Sequence, residues 1–479
     1  MAGSDLMISI SGIRGIVGQS LTPELLVRLG HAFGTYLQSG RVVVGRDTRV
    51  SGEMAKHAVL SGLLSGGCQI LDAGVCATPT ATLMVEKLKA DGGLMVTASH
   101  NPIEWNALKF FGPGGMYLNA DESRDLLNIY YSGQFDHSPW DKLQAVQKVE
   151  RADWQHVERV LEILDRDLIR SRKFKIALDC CNGAGCGIAQ LLLEELGCEI
   201  KAIHSKPDGL FPHKPEPLCA NLGDLCQHVL QTGSHAGFAI DPDADRVAIV
   251  DEHGEYRGEE VAVAMSARYA LSRREARGGT VVINMSTSRM TEDVALAAGC
   301  EVIRTKNGEA HVAEKMRDTN AVFGGEGNGG VIDPRVHCGR DAIVGMGLML
   351  EAMARSGLSA GLLADSLPSY HMLKTRMECP PARSQALIRR LKAGVKNARL
   401  SMRDGLRLDW DDSWVQLRAS NTEPIMRILA EARTKVRAQE LIEEFTSAIA
   451  KLKESGEGEP FRKKKTDRLT RQSKRLIAV

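Results

Sequence analysis

The sequence predicts an α/β protein built as several strand-and-helix layers in series, and three observations carry that prediction. A short β-branched run is followed repeatedly by a small-residue or polar turn and then by a helical pattern. Val42-Val43-Val44 leads into Gly45-Arg46-Asp47, Ile176-Ala177-Leu178 into Asp179, and Val281-Val282-Ile283 into Asn284. Such alternation is what sheets covered by helices require. The pattern recurs at roughly 100–130 residues, as similar domains in series would. Finally, 479 residues exceed one ordinary core and correspond to about three or four domains.

The helices announce themselves by end signals and periodicity. Thr22 precedes Pro23 as an N-cap before a first-turn proline, and Leu25, Leu26, Leu29 and Phe33 then share one face. Residues 154–169 read as one helix opening a second domain, through Val157, Val160, Leu161 and Leu164. A last helix runs from about Val436 to Leu452, after which Ser455-Gly456-Glu457-Gly458-Glu459-Pro460 ends the fold.

Composition narrows the function classes. Apolar and charged shares of 43% and 25% are those of an ordinary globular protein. The 5% aromatic share offers no stacking platform for single-stranded nucleic acid. The formal charge of +1 hides an uneven distribution: residues 461–479 carry eight Lys or Arg and one Asp, so the rest of the chain is mildly acidic. A short basic tail on an acidic body does not read as a nucleic-acid-binding protein. No apolar run approaches the ~20 residues that span a bilayer, and no signal peptide is visible. The eleven cysteines are scattered without a C-x-x-C pair, which predicts buried thiols in a cytoplasmic, reducing location.

Four segments are candidates for chemistry, and by residue types alone each also reads as an ordinary turn: an Asx-type turn, a solvated acidic turn, a flexible Gly-rich turn and a polar hairpin turn, in chain order. Thr97-Ala98-Ser99-His100-Asn101-Pro102 follows the apolar run Leu94-Met95-Val96. Asn-Pro forces a turn there and leaves Ser99 and His100 at a strand end, where α/β folds place reacting groups. A serine oxygen needs a base or a polarising ion before it takes phosphate. Asp241-Pro242-Asp243-Ala244-Asp245-Arg246 lies between Phe238-Ala239-Ile240 and Val247-Ala248-Ile249-Val250. Three carboxylates at i, i+2 and i+4 on one tight loop converge on a hard cation, and the reading is a Mg²⁺ site. An EF-hand loop fails because Arg246 stands where glycine is needed and the flanks are strands.

Phe323-Gly324-Gly325-Glu326-Gly327-Asn328-Gly329-Gly330 lets backbone approach a ligand and presents a carboxylate and an amide, a pair suited to sugar hydroxyls. Arg418-Ala419-Ser420-Asn421-Thr422-Glu423-Pro424 with Arg427, between strands at 414–417 and 425–429, has the donors of an anion-binding nest. Basic residues that would add to a phosphate site, although any one of them is more often a surface charge, are Arg14 between Gly12 and Gly15, Arg46 and Arg49 after a strand, and Lys109.

In this order, from Gly12 to about Leu452, the four motifs resemble the α-D-phosphohexomutase superfamily of phosphoglucomutases, phosphomannomutases and phosphoglucosamine mutases. The resemblance implies three similar α/β domains in series (1–152, 153–255, 256–370) and a smaller C-terminal α+β domain (371–455) around one central cleft. A basic tail, 456–479, lies outside it and reads as solvated and disordered. It implies Ser99 as the phosphoserine, with Asp241, Asp243, Asp245 and the serine phosphate holding Mg²⁺. His100 stands beside Ser99 in the same motif, Arg246 supports the phosphoryl group, and Arg14 and Lys109 match positions of proton transfer and charge stabilisation. Glu326 and Asn328 match the sugar loop; Arg418, Ser420, Asn421, Thr422 and Arg427 match the loop that grips the non-reacting phosphate. The chain departs from the pattern at Pro242 and Ala107, where glycine is usual, and at Asn307-Gly308-Glu309, where Glu309 receives no role.

The implied activity is a hexose 6-phosphate/hexose 1-phosphate mutase, an isomerase, with a hexose 1,6-bisphosphate as intermediate and activator. The sugar loop most resembles the archaeal-type phosphoglucosamine mutase branch, so glucosamine phosphate is the leading substrate and broad glucose or mannose specificity the alternative. Its partners are small-molecule sugar phosphates, with no nucleic acid and no membrane. A kinase or a bisphosphate must first phosphorylate Ser99. A Mg²⁺-dependent sugar phosphatase has no need of the second phosphate grip. A non-catalytic sugar-phosphate sensor has little use for both Ser99 and three carboxylates.

Overall fold

A computed structural model describes residues 6–9, 12–394, 397–419 and 425–454. The described residues form four sheets in succession. The first orders its strands as Met7–Ser9, Gly12–Ile16, Trp105–Phe111, Gly92–Val96, Arg41–Arg46, Gln69–Val75 and Gln147–Lys148. Its centre is parallel, 92–96 beside 41–46 beside 69–75, and an antiparallel flank of 105–111 and 12–16 closes one side. The second sheet runs Tyr256–Gly258, Val247–Asp251, Ala236–Ile240, Lys175–Asp179, Glu199–Ile203, and the third Glu301–Thr305, Thr280–Asn284, Phe323–Glu326, Gly330–Ile332.

The buried strands are continuous apolar runs because helices cover both faces. Val42, Val44, Leu94 and Val96 pack with Leu26, Leu29 and Phe33 of the helix Pro23–Tyr36, whose Thr22 cap accepts from Leu25 N at 3.4 Å. The fourth sheet, His371–Glu378, Ile425–Ala432, Ser413–Ala419, Leu406–Asp409 and Arg399–Ser401, is antiparallel in its described pairs. Leu441, Ile442, Phe445 and Ile449 of the helix Lys435–Glu454 cover it.

The chain divides into two compact units. One runs to Leu367; the other takes Pro368 onward together with Met285–Met290 and Thr305–Asn307. One expectation fails: residues 154–169 are two helices, Ala152–Leu161 and Arg166–Ser171. Asp165 accepts from Leu168 N at 3.1 Å and starts the second helix, so a capping carboxylate interrupts an otherwise continuous apolar periodicity. Ser420, Asn421, Thr422 and the tail 456–479 lie outside the described residues. Among the described residues no helix is long and apolar enough to cross a membrane. All eleven cysteines are free.

Candidate active site

Strand C-termini carry the candidate groups. Asp47 follows the strand Arg41–Arg46, Ser99 follows Gly92–Val96 and Asp241 follows Ala236–Ile240, while Glu326 ends Phe323–Glu326. The loop carrying Ser99 is held against its preference: Ser99 has φ +51°, a left-handed conformation that costs a serine on the order of 1 kcal/mol or more.

Arg49 is the clamp that maintains this loop. It is fully buried, pairs with Asp47 at 3.2 Å, and donates to the carbonyls of Ser99 (2.6 Å), Asn101 (2.7 Å), Pro102 (2.7 Å) and Trp105 (2.9 Å). Asp47 in turn accepts from Thr97 Oγ1 at 2.6 Å, and that hydroxyl accepts from Ser99 N at 3.0 Å. Arg49 therefore serves the loop's shape. Arg46 is directed away to Glu53 at 2.7 Å. Replacing Arg49 by Met leaves the buried Asp47 without its counter-charge and four carbonyls without the guanidinium donor, so unfolding stability falls by about 3–5 kcal/mol. A denaturant melt of the variant checks this.

The three-aspartate loop meets Ser99 directly. Ser99 Oγ donates to Asp241 Oδ2 at 2.9 Å and lies 3.3 Å from His100 Nδ1. Asp241, Asp243 and Asp245 are fully buried, and one carboxylate oxygen from each lies within 4.8 Å of the other two. The remaining oxygens are taken. Asp241 Oδ1 accepts from Asp245 N and Arg246 N at 3.1 and 3.2 Å; Asp243 Oδ2 from Lys109 Nζ at 2.6 Å and Thr78 Oγ1 at 2.8 Å; Asp245 Oδ2 from an Arg340 nitrogen at 2.5 Å. Asp243 Oδ1 and Asp245 Oδ1 are buried without a hydrogen-bond partner among the described residues. A set of three hard oxygens, two of them unsatisfied, fits a small divalent cation.

Electrostatics agree with that reading. Burial, then the neighbouring Asp245 and Asp243, push the Asp241 carboxyl well above its usual range. Burial acts on Asp243 in the same sense, but the Lys109 ammonium and the bonds from Lys109 and Thr78 hold it below the usual range. Lys109 is buried too, yet Asp243 and Asp245 keep it a charged ammonium. Burial and the positive Arg246 and Arg14 hold His100 well below its ordinary value, so it is a neutral imidazole accepting from the Arg246 guanidinium through Nδ1. Arg14 lies in the strand paired to Trp105–Phe111 and donates to Asn101 Oδ1 at 3.1 Å. Gly12 begins that strand with φ +123°, where a Cβ would stand 2.3 Å from the Leu108 carbonyl oxygen.

The loop expected to read the sugar is a hairpin, Phe323–Glu326 turning into Gly330–Ile332. Glu326 Oε1 accepts from Asn284 Nδ2 at 2.7 Å and Gly308 N at 2.8 Å, and Oε2 from Arg340 at 3.1 Å. Asn328 is half-buried, and its Oδ1 has no partner among the described residues. Arg340, which the sequence did not single out, joins the two loops: it reaches Asp245, Glu326 and Glu309 Oε2, the last at 3.0 Å. Glu309 thus acquires a part, as a buried counter-charge to Arg340. No motif marks Arg340, and Glu309 stood only as a departure from the family pattern, because their pairing spans 31 positions.

Helix Thr78–Lys87 is a second support that sequence reasoning missed. Thr78 bonds Asp243, Thr80 Oγ1 lies 2.9 Å from His156 Nδ1, and Thr82 Oγ1 lies 3.5 Å from His337 Nδ1. Both imidazoles bond Asp341 Oδ2, at 2.7 and 3.0 Å, while Asp341 Oδ1 caps the helix Ala342–Ser356. In the other unit, Arg418 pairs with Asp404 at 3.5 Å, and Arg427 sits opposite it on the neighbouring strand.

Comparison with known proteins follows the same four-part division. Residues 7–137, 155–254 and 258–370 match the phosphoglucomutase/phosphomannomutase α/β/α domains I, II and III, and 373–448 match the C-terminal domain of that family. A probable phosphoglucosamine mutase of Methanopyrus kandleri is 39% identical over 442 residues, covering 92% of this chain and 96% of the relative. A phosphoglucomutase/phosphomannomutase of Thermococcus kodakarensis is 38% identical over 440 residues, with 90% and 96% covered. The solved structure of a phosphoglucomutase/phosphomannomutase family protein from Burkholderia thailandensis superposes with a TM-score of 0.83 at 27% identity, covering 95% of this chain and all of that one. Three α/β/α domains and a C-terminal domain in unbroken order, with archaeal relatives matched along at least nine-tenths of its length, place this chain in the phosphoglucomutase/phosphomannomutase family.

Proposed function

We propose that in this phosphohexose mutase Ser99 carries the phosphoryl group, and that Asp241, Asp243 and Asp245 hold Mg²⁺ beside it. The carrying observation is the 2.9 Å contact of Ser99 Oγ with the buried three-carboxylate loop. An N-acetylphosphoglucosamine mutase of Aspergillus fumigatus, a more distant likeness, has been solved with GlcNAc-6P and magnesium, which supports the same ligand classes here. The cation, when bound, neutralises phosphoryl oxygens as charge develops on them.

The chain's own residues account for the remaining steps. Phosphorylated Ser99 donates its phosphoryl group to the free hydroxyl of a hexose monophosphate, giving a hexose 1,6-bisphosphate. The bisphosphate turns over in the site, and Ser99 recovers a phosphoryl group from the other end. Lys109 and Arg246 supply fixed positive charge beside Ser99, Arg14 adds to it, and His100 positions the Arg246 guanidinium through its Nδ1. Positioning and electrostatics carry such a transfer, and burial of the serine keeps water from hydrolysing its ester. Arg418, Arg427 and the 420–422 segment are the proposed grip for the phosphate that does not react. A bisphosphate, or a kinase, loads Ser99 initially. Free thiols throughout fit a cytoplasmic location.

Glucosamine phosphate is the proposed substrate. Glu326 Oε2 accepts only one described bond, leaving capacity for an ammonium, and a hydrogen bond to a charged group is worth about 1.5–3 kcal/mol. The expected result is a kcat/KM for glucosamine 6-phosphate about tenfold or more above those for glucose and mannose 6-phosphates, and Glu326→Gln removes that advantage selectively. Equal losses for all three sugars would instead make this a broad-specificity hexose mutase. Product analysis decides the reaction itself: isomerised ester means mutase, free phosphate means phosphatase, and no turnover means a sensor.

A further inference from the structure

We propose that Asp179, His204 and His213 form a second cation site, distinct from the three-aspartate loop and suited to Zn²⁺ rather than Mg²⁺. Asp179 ends the strand Lys175–Asp179, and its carboxylate is aimed by its own backbone: Oδ1 accepts from Cys181 N at 2.9 Å. The other oxygen, Oδ2, faces His204 Nδ1 at 2.9 Å and His213 Nε2 at 3.2 Å. One ligand atom from each of the three residues lies within 4.8 Å of the other two. Asp179 is buried, whereas the imidazoles keep side-chain exposures of 20% and 14%, so an ion has a path from solvent.

The far side of the His213 ring is arranged as a metal-binding histidine requires. His213 Nδ1 donates to the Lys214 carbonyl at 2.8 Å, which selects the tautomer with Nε2 free to ligate. His204 Nε2 faces outward, with the exposed Asp224 carboxylate 3.8 Å away, beyond a direct hydrogen bond, so Nδ1 is the nitrogen turned to Asp179. Two imidazoles and a carboxylate are the donor set of Zn²⁺ and its neighbours in the transition series; Mg²⁺ prefers oxygen alone. The fourth position is open to water.

The site bears on the reaction centre only from behind. The segment after His204 carries Phe211, and the Arg49 guanidinium lies 4.9 Å from the centre of that ring. Arg49 is the residue that clamps the Ser99 loop. An ion joining His204 and His213 to the strand end would pin this segment under Arg49, so the ion is a structural staple.

The test uses the full chain, stripped of metal and kept in excess Mg²⁺ to occupy the aspartate loop. One equivalent of Zn²⁺ is added, and bound zinc is measured after gel filtration by elemental mass spectrometry. Wild type and Asp243→Asn should both retain one zinc per chain, since the ion is elsewhere, and His204→Gln/His213→Gln should retain none. Zinc should also raise the melting temperature of wild type and leave the histidine variant unmoved. Should that variant fail to fold, diethyl pyrocarbonate modification of the wild type replaces it: zinc should protect His204 and His213, as read by peptide mass. No zinc retained against Mg²⁺, retention unchanged in the folded histidine variant, or no protection of the two histidines each overturns the proposal.

Discussion

Ser99→Ala abolishes turnover. The loss in kcat is on the order of 10⁴-fold or more, the scale on which covalent catalysis fails when its nucleophile is removed. Nothing nearby substitutes: His100 holds its Nδ1 against Arg246, and Thr97 has its hydroxyl committed to Asp47 at 2.6 Å. The variant keeps its fold, because Arg49 grips the loop by backbone carbonyls that alanine retains. Intact-mass measurement after incubation with a hexose 1,6-bisphosphate should find one added phosphate on the wild type and none on the variant. A fully active, equally phosphorylated Ser99→Ala protein would show that another group carries the phosphoryl.

Asp243→Asn lowers kcat by about 10²–10³-fold and weakens Mg²⁺ binding, since a Lewis-acid contribution of several kcal/mol depends on this carboxylate. The change is isosteric but not silent in the fold. Asp243 Oδ2 accepts from Lys109 and Thr78 while Oδ1 faces the cation position. An amide has one oxygen, so it meets either the ammonium or the cation with its NH₂ group. It also leaves Lys109 buried with Asp245 at 3.7 Å as its remaining carboxylate within salt-bridge distance among the described residues. Breaking a buried pair costs about 3–5 kcal/mol, so the melting temperature falls as well. Calorimetric titration with Mg²⁺ and a thermal melt read the two effects separately. A chelator that leaves the wild type fully active would remove the metal from the mechanism.

Most of the architecture was legible locally. Continuous apolar runs at 42–44, 94–96, 176–178, 238–240 and 281–283 each became a buried strand, because a strand covered on both faces needs no alternation. Thr22-Pro23 marked a helix start for the same local reason, a side-chain oxygen beside a residue without an N–H. The break between Leu161 and Arg166 was missed because apolar periodicity continued through it while Asp165 offered a competing cap.

The site divides along the same line. Ser99 and the three aspartates stood out because their chemistry is packed into a few adjacent positions, and adjacency needs no folding to be seen. Thr78 and Arg340 did not, and Arg49 and Glu309 were named without the parts they play, since as single residues each resembles a surface charge or an ordinary hydroxyl. Their roles exist only after strands 41–46, 92–96, 236–240 and 323–326 bring separate loops together, placing Thr78 on Asp243 across 165 positions and Arg340 on Asp245 across 95. Spacing along the chain was enough to single out Ser99 as the candidate phosphoryl carrier and to mark the three-carboxylate loop. Which cation neutralises which carboxylate, and what holds Ser99 in a left-handed turn, was decided by long-range packing, because buried charge takes its partner from whatever the fold sets within about 4 Å of it.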